Sequence, residues 1–64
     1  LRALSAREQQ VVALVATGAA NKVIAYELDI ATSTVSELLR RAMAKLGVDS
    51  RAALVRRVLS QGEG

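Results

Sequence analysis

Val35, Leu39, Ala42 and Leu46 recur at spacings of four, three and four residues, with no proline among them. Residues three and four apart share one face of an α-helix, so this spacing lays a single apolar seam along a helix of some length. Leu38 and Met43 widen the seam, and Gly47 offers a left-handed stop at its end. A helix with one apolar stripe has to bury it against other elements. The chain has 64 residues in which to provide them. One domain is the most that such a length supports, and folding it buries only about 60% of the surface that the unfolded chain exposes.

Three further blocks supply the partners. Ser5 followed by Glu8 has the spacing of a capping box, in which the two residues satisfy each other's unpaired backbone N–H groups. Val11, Leu14 and Val15 then mark one face, with Val12 beside it, before Gly18 ends the block. NKVIAYEL follows, with Asn21 as expected N-cap and Ile24, Ala25 and Leu28 turned inward. After the seam-bearing block, a last one starts at Ser50 as N-cap. Within it Leu54 and Val58 share one edge, while Ala52, Val55 and Leu59 spread the apolar arc wider than one small core needs. The expected helices span about 6–17, 22–28, 32–46 and 51–60, with no strand-like alternation. The fold class is therefore all-α, a compact four-helix bundle forming a single domain over 1–64.

Hydrophobic residues make up 52% of the chain, and Tyr26 is its single aromatic, so packing rests on Leu, Val, Ile and Ala. The sequence has no Cys and no His, which removes thiol nucleophiles, disulfides, the usual zinc ligands and the side chain best suited to proton transfer near neutral pH. An enzyme is not expected, nor a metal or other cofactor. No apolar run approaches the roughly 20 residues of a membrane span, and no signal-peptide pattern is present. An amphipathic peptide lying on a membrane would need an exposed aromatic or bulky apolar face to anchor it. The expectation is a cytoplasmic protein with no membrane partner.

The net charge of +3 is unevenly distributed. Through Leu39, Arg2, Arg7 and Lys22 stand against Glu8, Glu27, Asp29 and Glu37, for a net −1. From Arg40 onward, Arg40, Arg41, Lys45, Arg51, Arg56 and Arg57 stand against Asp49 and Glu63, for a net +4. Such asymmetry suits a polyanionic partner when fold and spacing support it. Here they do. A short helix and a long one with a polar outer face, joined by the turn Asp29-Ile30-Ala31, have the layout of a helix-turn-helix.

A further pattern is carried by Leu4, Ser5, Arg7 and Glu8, then Gly18, Asn21, Lys22, Ile24 and Ala25, then Thr34 and Val35, Lys45 to Val48, and Ser50 with Arg51. In this ordered set the chain resembles a known family, the LuxR-type (GerE, NarL/FixJ) C-terminal helix-turn-helix DNA-binding domains of bacterial transcription regulators. The resemblance covers Leu4 to about Val58 without a gap. The departures fall where DNA would be read. Ser36 stands where the family commonly has Lys or Arg, Leu38 where it has His, Asp29 in place of the turn's Gly, and Ala31 in place of the N-cap Ser. Asp tolerates a left-handed backbone better than most residues. Thr32 is the expected replacement cap, with a Thr34–Glu37 capping box as the alternative.

At about 100° per residue, Ser33, Glu37, Arg40, Arg41 and Ala44 cluster opposite the seam, with Ser36 on the flank. The base-reading candidates are Ser33, Ser36, Glu37 and Arg40. Arg40 matches guanine O6 and N7 with two donors, or contacts phosphate; Glu37 accepts from cytosine N4, or pairs with Arg41, and the pair is the preferred reading. On that reading Arg40 and Lys45 carry the free positive charge. The resemblance implies that Lys22 and Thr34 are phosphate anchors, although Thr34 could instead cap and Lys22 be solvated. Thr32, Arg41 and Lys45 complete the phosphate candidates, with Lys45 alternatively paired with Glu8. Arg56 and Arg57 are read as solvating the last helix. Ala52, Val55 and Leu59 are the dimer-interface candidates.

The resemblance implies sequence-specific binding of double-stranded DNA by a bacterial transcription regulator, with the third helix in the major groove and a homodimer paired through the fourth. RNA polymerase is a further candidate partner. A start at Leu1 without Met and an end in QGEG give the expectation of the C-terminal part of a longer regulator, a response regulator among the options. The rival is a helix-turn-helix module used mainly for protein–protein interaction, to which Ser36, Glu37 and Leu38 lend weight.

Overall fold

A computed structural model describes residues 4–63, with side chains described through residue 60. Arg2 and Gly64, which entered the charge balance and the C-terminal reading above, lie outside the described residues. Four helices follow in order, α1 Ala6–Ala16, α2 Asn21–Leu28, α3 Thr32–Leu46 and α4 Arg51–Glu63, and the described residues contain no strand. The expected fold class and helix order hold, the bounds of α3 are as expected, and the other helices differ at one end by one to three residues.

The differences have local causes. α1 stops at Ala16 because Thr17 is already the C-cap and Gly18, at φ 93°, turns the chain back. Asn21 is the first helical residue of α2 and Ala20 its N-cap, because the Asn21 side chain is engaged elsewhere. Ala31, with extended backbone, is the N-cap of α3, so neither Thr32 nor a Thr34–Glu37 box caps that helix. The Glu37 carboxylate is taken by two arginines further along. α4 passes the expected end at Ser60 and reaches Glu63, since no proline intervenes and a single helical glycine costs only about 1 kcal/mol.

One device ends the first three helices. A residue with positive φ sits just past each end, Gly18, Asp29 and Gly47, and its N–H bonds back to Val15, Tyr26 and Ala44. The next N–H in each case reaches one carbonyl further back: Ala19 to Leu14, Ile30 to Ala25 and Val48 to Met43, at 3.0–3.2 Å. This is the Schellman arrangement. Asp29 adopts φ 56° and ψ 49°, so the turn takes the left-handed backbone expected there with an aspartate in place.

α3 packs on α1 and α2, and α4 packs mainly on α1. Val35, Leu39 and Ala42 are buried, and Leu46 is half-buried, so the seam is the interior side of α3. It meets Val11, Val12 and Val15 from α1, Ile24 and Ala25 from α2, and Leu54 from α4, with Leu4 closing the cluster ahead of α1. Of the residues marked by spacing, Val11, Val12, Val15, Ile24, Ala25, Val35, Leu39, Ala42 and Leu54 are core, and Leu14, Leu28, Leu38, Met43, Leu46 and Val58 lie at its edge. Glu8 is the one buried charged residue among those described.

Candidate nucleic-acid interface

The two helices of the helix-turn-helix differ from their neighbours at their N-termini. Ser5 Oγ accepts from Glu8 N and Ser50 Oγ from Ala53 N, so α1 and α4 begin with side-chain caps. α2 and α3 have alanine N-caps and no side-chain cap hydrogen bond. No side chain takes their first-turn N–H groups, which lie at the positive end of the helix dipole. Lys22 is exposed in the first turn of α2, and Thr32, Ser33 and Thr34 are exposed in that of α3. Backbone donors, hydroxyls and one ammonium thus line two helix starts, a combination suited to phosphate oxygens.

Further along α3, Ser36, Arg40 and Arg41 are exposed and Glu37 is half-buried, on the side away from the seam. Arg40 Nη2 lies 2.6 Å from both Glu37 oxygens, and Arg41 Nε donates to Oε2 at 3.0 Å. These bonds, that of Arg40 foremost, hold the Glu37 carboxyl below its ordinary value. The expected pair with Arg41 is present. The expectation that Arg40 stays free is corrected, because at a spacing of three residues it reaches the same carboxylate. Exposed pairs of this kind contribute little and exchange readily.

Lys45 requires a second correction. Its Nζ lies 2.8 Å from Oε1 of Glu8, so it too is paired rather than carrying free charge. Glu8 is only 2% exposed, and a phosphate that drew Lys45 away would leave a buried carboxylate without its counter-ion. Of the two readings of Lys45, the structure has the ion pair. Among the described residues Lys22 enters no ion pair.

Two arginines have roles that spacing did not reveal. Arg57, read as a solvated residue, donates to the Leu46 carbonyl at 3.0 Å and so satisfies an open group at the end of α3. Arg51 had carried the family pattern without an assigned task. It donates to the Ala19 carbonyl at 2.7 Å and to Asn21 Oδ1 at 2.8 Å, tying the start of α4 to the start of α2. Arg56 is exposed. On the outer side of α4, Ala52 is exposed, Val55 half-buried and Leu59 53% exposed. Ala52 and Val55 also line an open concavity with Val15, Ala16 and Gly18 at the end of α1.

The family model described as bacterial regulatory proteins, luxR family (GerE), matches residues 2–58. The chain belongs to the LuxR family. Curated relatives of this LuxR-family chain include the transcriptional regulatory protein FixJ of Rhizobium meliloti (strain 1021), 45% identical over 64 residues, which are 100% of this chain and 31% of FixJ. The monoamine regulon transcriptional regulator of Klebsiella aerogenes is 48% identical over 54 residues, 84% of this chain and 24% of that protein. The probable transcriptional regulatory protein NarL of Mycobacterium tuberculosis (strain ATCC 25618 / H37Rv) is 45% identical over 58 residues, 91% of this chain and 27% of that protein. The LuxR-family chain therefore spans less than a third of the length of these relatives. No solved structure matches it. Among the described residues, no helix is long and apolar enough to cross a membrane.

Proposed function

We propose that this LuxR-family domain binds double-stranded DNA sequence-specifically for a bacterial transcription regulator, laying α3 in the major groove and pairing with a second copy through α4. The observation that carries the reading is the exposed side of α2 and α3, where two uncapped helix starts adjoin a row of hydroxyl and guanidinium groups. The names of FixJ and of the monoamine regulon regulator describe transcriptional regulators, which supports the same direction. Lys22, Thr32 and Thr34 with the N–H groups beside them contact phosphates and set the register of the domain. Ser33, Ser36 and Arg40 face the base edges. Arg40 and Arg41 leave Glu37 for guanine or phosphate oxygens, while Lys45 remains with Glu8 as a strut. Ala52, Val55 and Leu59 form the pairing edge, so two domains read half-sites related by a two-fold axis.

A second reading has its own support. Glu37 neutralises the middle of α3 in the free domain, and Val23 and Tyr26 on α2 are 49% and 85% exposed. A protein partner such as RNA polymerase would be met by such a surface. Fluorescence anisotropy of a labelled mixed-sequence duplex across a salt series separates the two. Each phosphate neutralised contributes about −0.9 to the slope of log affinity against log salt. A steep slope supports the DNA-binding reading, and no binding at low salt favours the protein partner.

A further inference from the structure

Asn21 links the start of α4 to the outer side of α3. Arg51 Nη1 donates to Asn21 Oδ1 at 2.8 Å, and the same guanidinium is anchored by the Ala19 carbonyl at 2.7 Å through Nη2. On the other side of the amide, Asn21 Nδ2 donates to Ser36 Oγ at 3.4 Å. The sense of this chain of bonds is fixed by chemistry. A guanidinium carries donors only, so the group facing Arg51 must be the amide oxygen, and the amide nitrogen is then left facing Ser36. Ser36 Oγ accepts, and among the described residues its own proton goes to no protein acceptor. A serine on a recognition helix ordinarily donates or accepts with equal ease and specifies little. Here one of the two lone pairs is taken by Asn21 and the proton is free, so donation toward the groove is favoured over acceptance.

We propose that Arg51 and Asn21 are positioning residues that turn the Ser36 hydroxyl into a donor toward the base it meets. Guanine, adenine and thymine each present an acceptor in the major groove, whereas cytosine presents only the N4 donor. The base pair facing Ser36 is therefore biased against cytosine on the strand it reads. The inference rests on the DNA-binding reading above and adds to it a residue on α4 that acts on specificity without touching DNA.

The test takes duplexes selected by the domain from a random pool and measures affinity for every single base-pair change, using wild type, Asn21→Asp, Ser36→Ala and the double variant. Asn21→Asp keeps an acceptor for Arg51 but places a second acceptor before Ser36, so the hydroxyl donates inward and offers its lone pairs to the groove. Cytosine, disfavoured by wild type on the order of 10-fold at one position, should become tolerated or preferred there in Asn21→Asp. The added negative charge lowers affinity for all duplexes alike, and preferences elsewhere should not move. The switch should vanish when Ser36→Ala is also present, a coupling that a merely structural role of Asn21 would not give. Arg51→Lys, whose single ammonium replaces the two-pronged guanidinium, should weaken the bias against cytosine without reversing it, and serves if Asn21→Asp does not fold. An unchanged preference in the folded variants, or a switch that survives Ser36→Ala, overturns the inference and leaves DNA binding intact. Wild-type protein that shows no salt-dependent binding to any duplex overturns the DNA-binding reading, and this inference with it.

Discussion

Lys45 Nζ lies 2.8 Å from Glu8 Oε1, fastening the last turn of α3 to the first turn of α1 across 37 residues of sequence. The same Glu8 oxygen accepts from Ser5 N at 2.9 Å, so one buried carboxylate closes the capping box and receives the ammonium. The long helix is thereby held at its C-terminal end by charge and along its length by the seam.

This pair sets a pH dependence of stability. Lys45 first, then the Ser5 backbone N–H, holds the Glu8 carboxyl below its ordinary value of 4.5. A depressed folded-state value means that the contribution is complete above about pH 4.5 and is lost as pH falls through the lowered native value. Urea unfolding midpoints of wild type and Glu8→Gln should differ at neutral pH, wild type being the more stable, and converge toward acid. Two curves that run parallel down the acid range would show that the pair contributes nothing.

The turn offers a gain. Asp29 holds φ 56° just past the end of α2, where an L-residue is strained and a negative charge faces the negative end of the helix dipole. Asp29→Gly relieves both and should raise stability by about 0.5–1 kcal/mol, whereas Asp29→Val, β-branched at the same φ, should lower it. Equal midpoints for all three proteins in urea would mean that the turn carries no strain.

Periodicity made the core legible, because a seam such as Val35, Leu39 and Ala42 declares its face through spacing alone. Gly18 and Gly47 announced helix ends for an equally local reason. Caps were less legible. Asn21 is a good cap residue by type, but Arg51, thirty positions later, engages its oxygen, and no local window contains that competition. The same holds for charge. The Glu37–Arg41 pair is visible at a spacing of four, while the claim of Arg40 on the same carboxylate depends on side-chain reach. Lys45 had two readings in the sequence, and only the fold, by burying Glu8 beside it, selects one.

Neighbouring positions on α4 should separate folding from pairing. Leu54 is fully buried, and Leu54→Ala should cost about 2–5 kcal/mol, a large part of what so small a domain has. Val55 lies at the half-buried outer edge, so Val55→Glu should leave the helical signal and the affinity for a single half-site largely intact while reducing cooperative binding to a duplex with two half-sites. Unchanged cooperativity in a folded Val55→Glu protein would locate the contact between copies elsewhere.

Glu37 competes with DNA for the arginines of α3. Arg40 and Arg41 both bind its carboxylate in the free domain, through Nη2 and Nε, so a phosphate or guanine that takes those donors has to displace it. Glu37→Gln removes the charge with little change of shape. It should raise affinity for all duplexes and steepen the salt slope by up to about 0.9 for each guanidinium newly given to a phosphate. The preference among bases should stay as in wild type, since the displaced acid contacts none of them. A base preference that shifts at one position toward or away from cytosine would instead make Glu37 a reader of that base. Lower affinity in the Gln variant would mean that the acid orients Arg40 for its contact, and that the pairs persist on DNA.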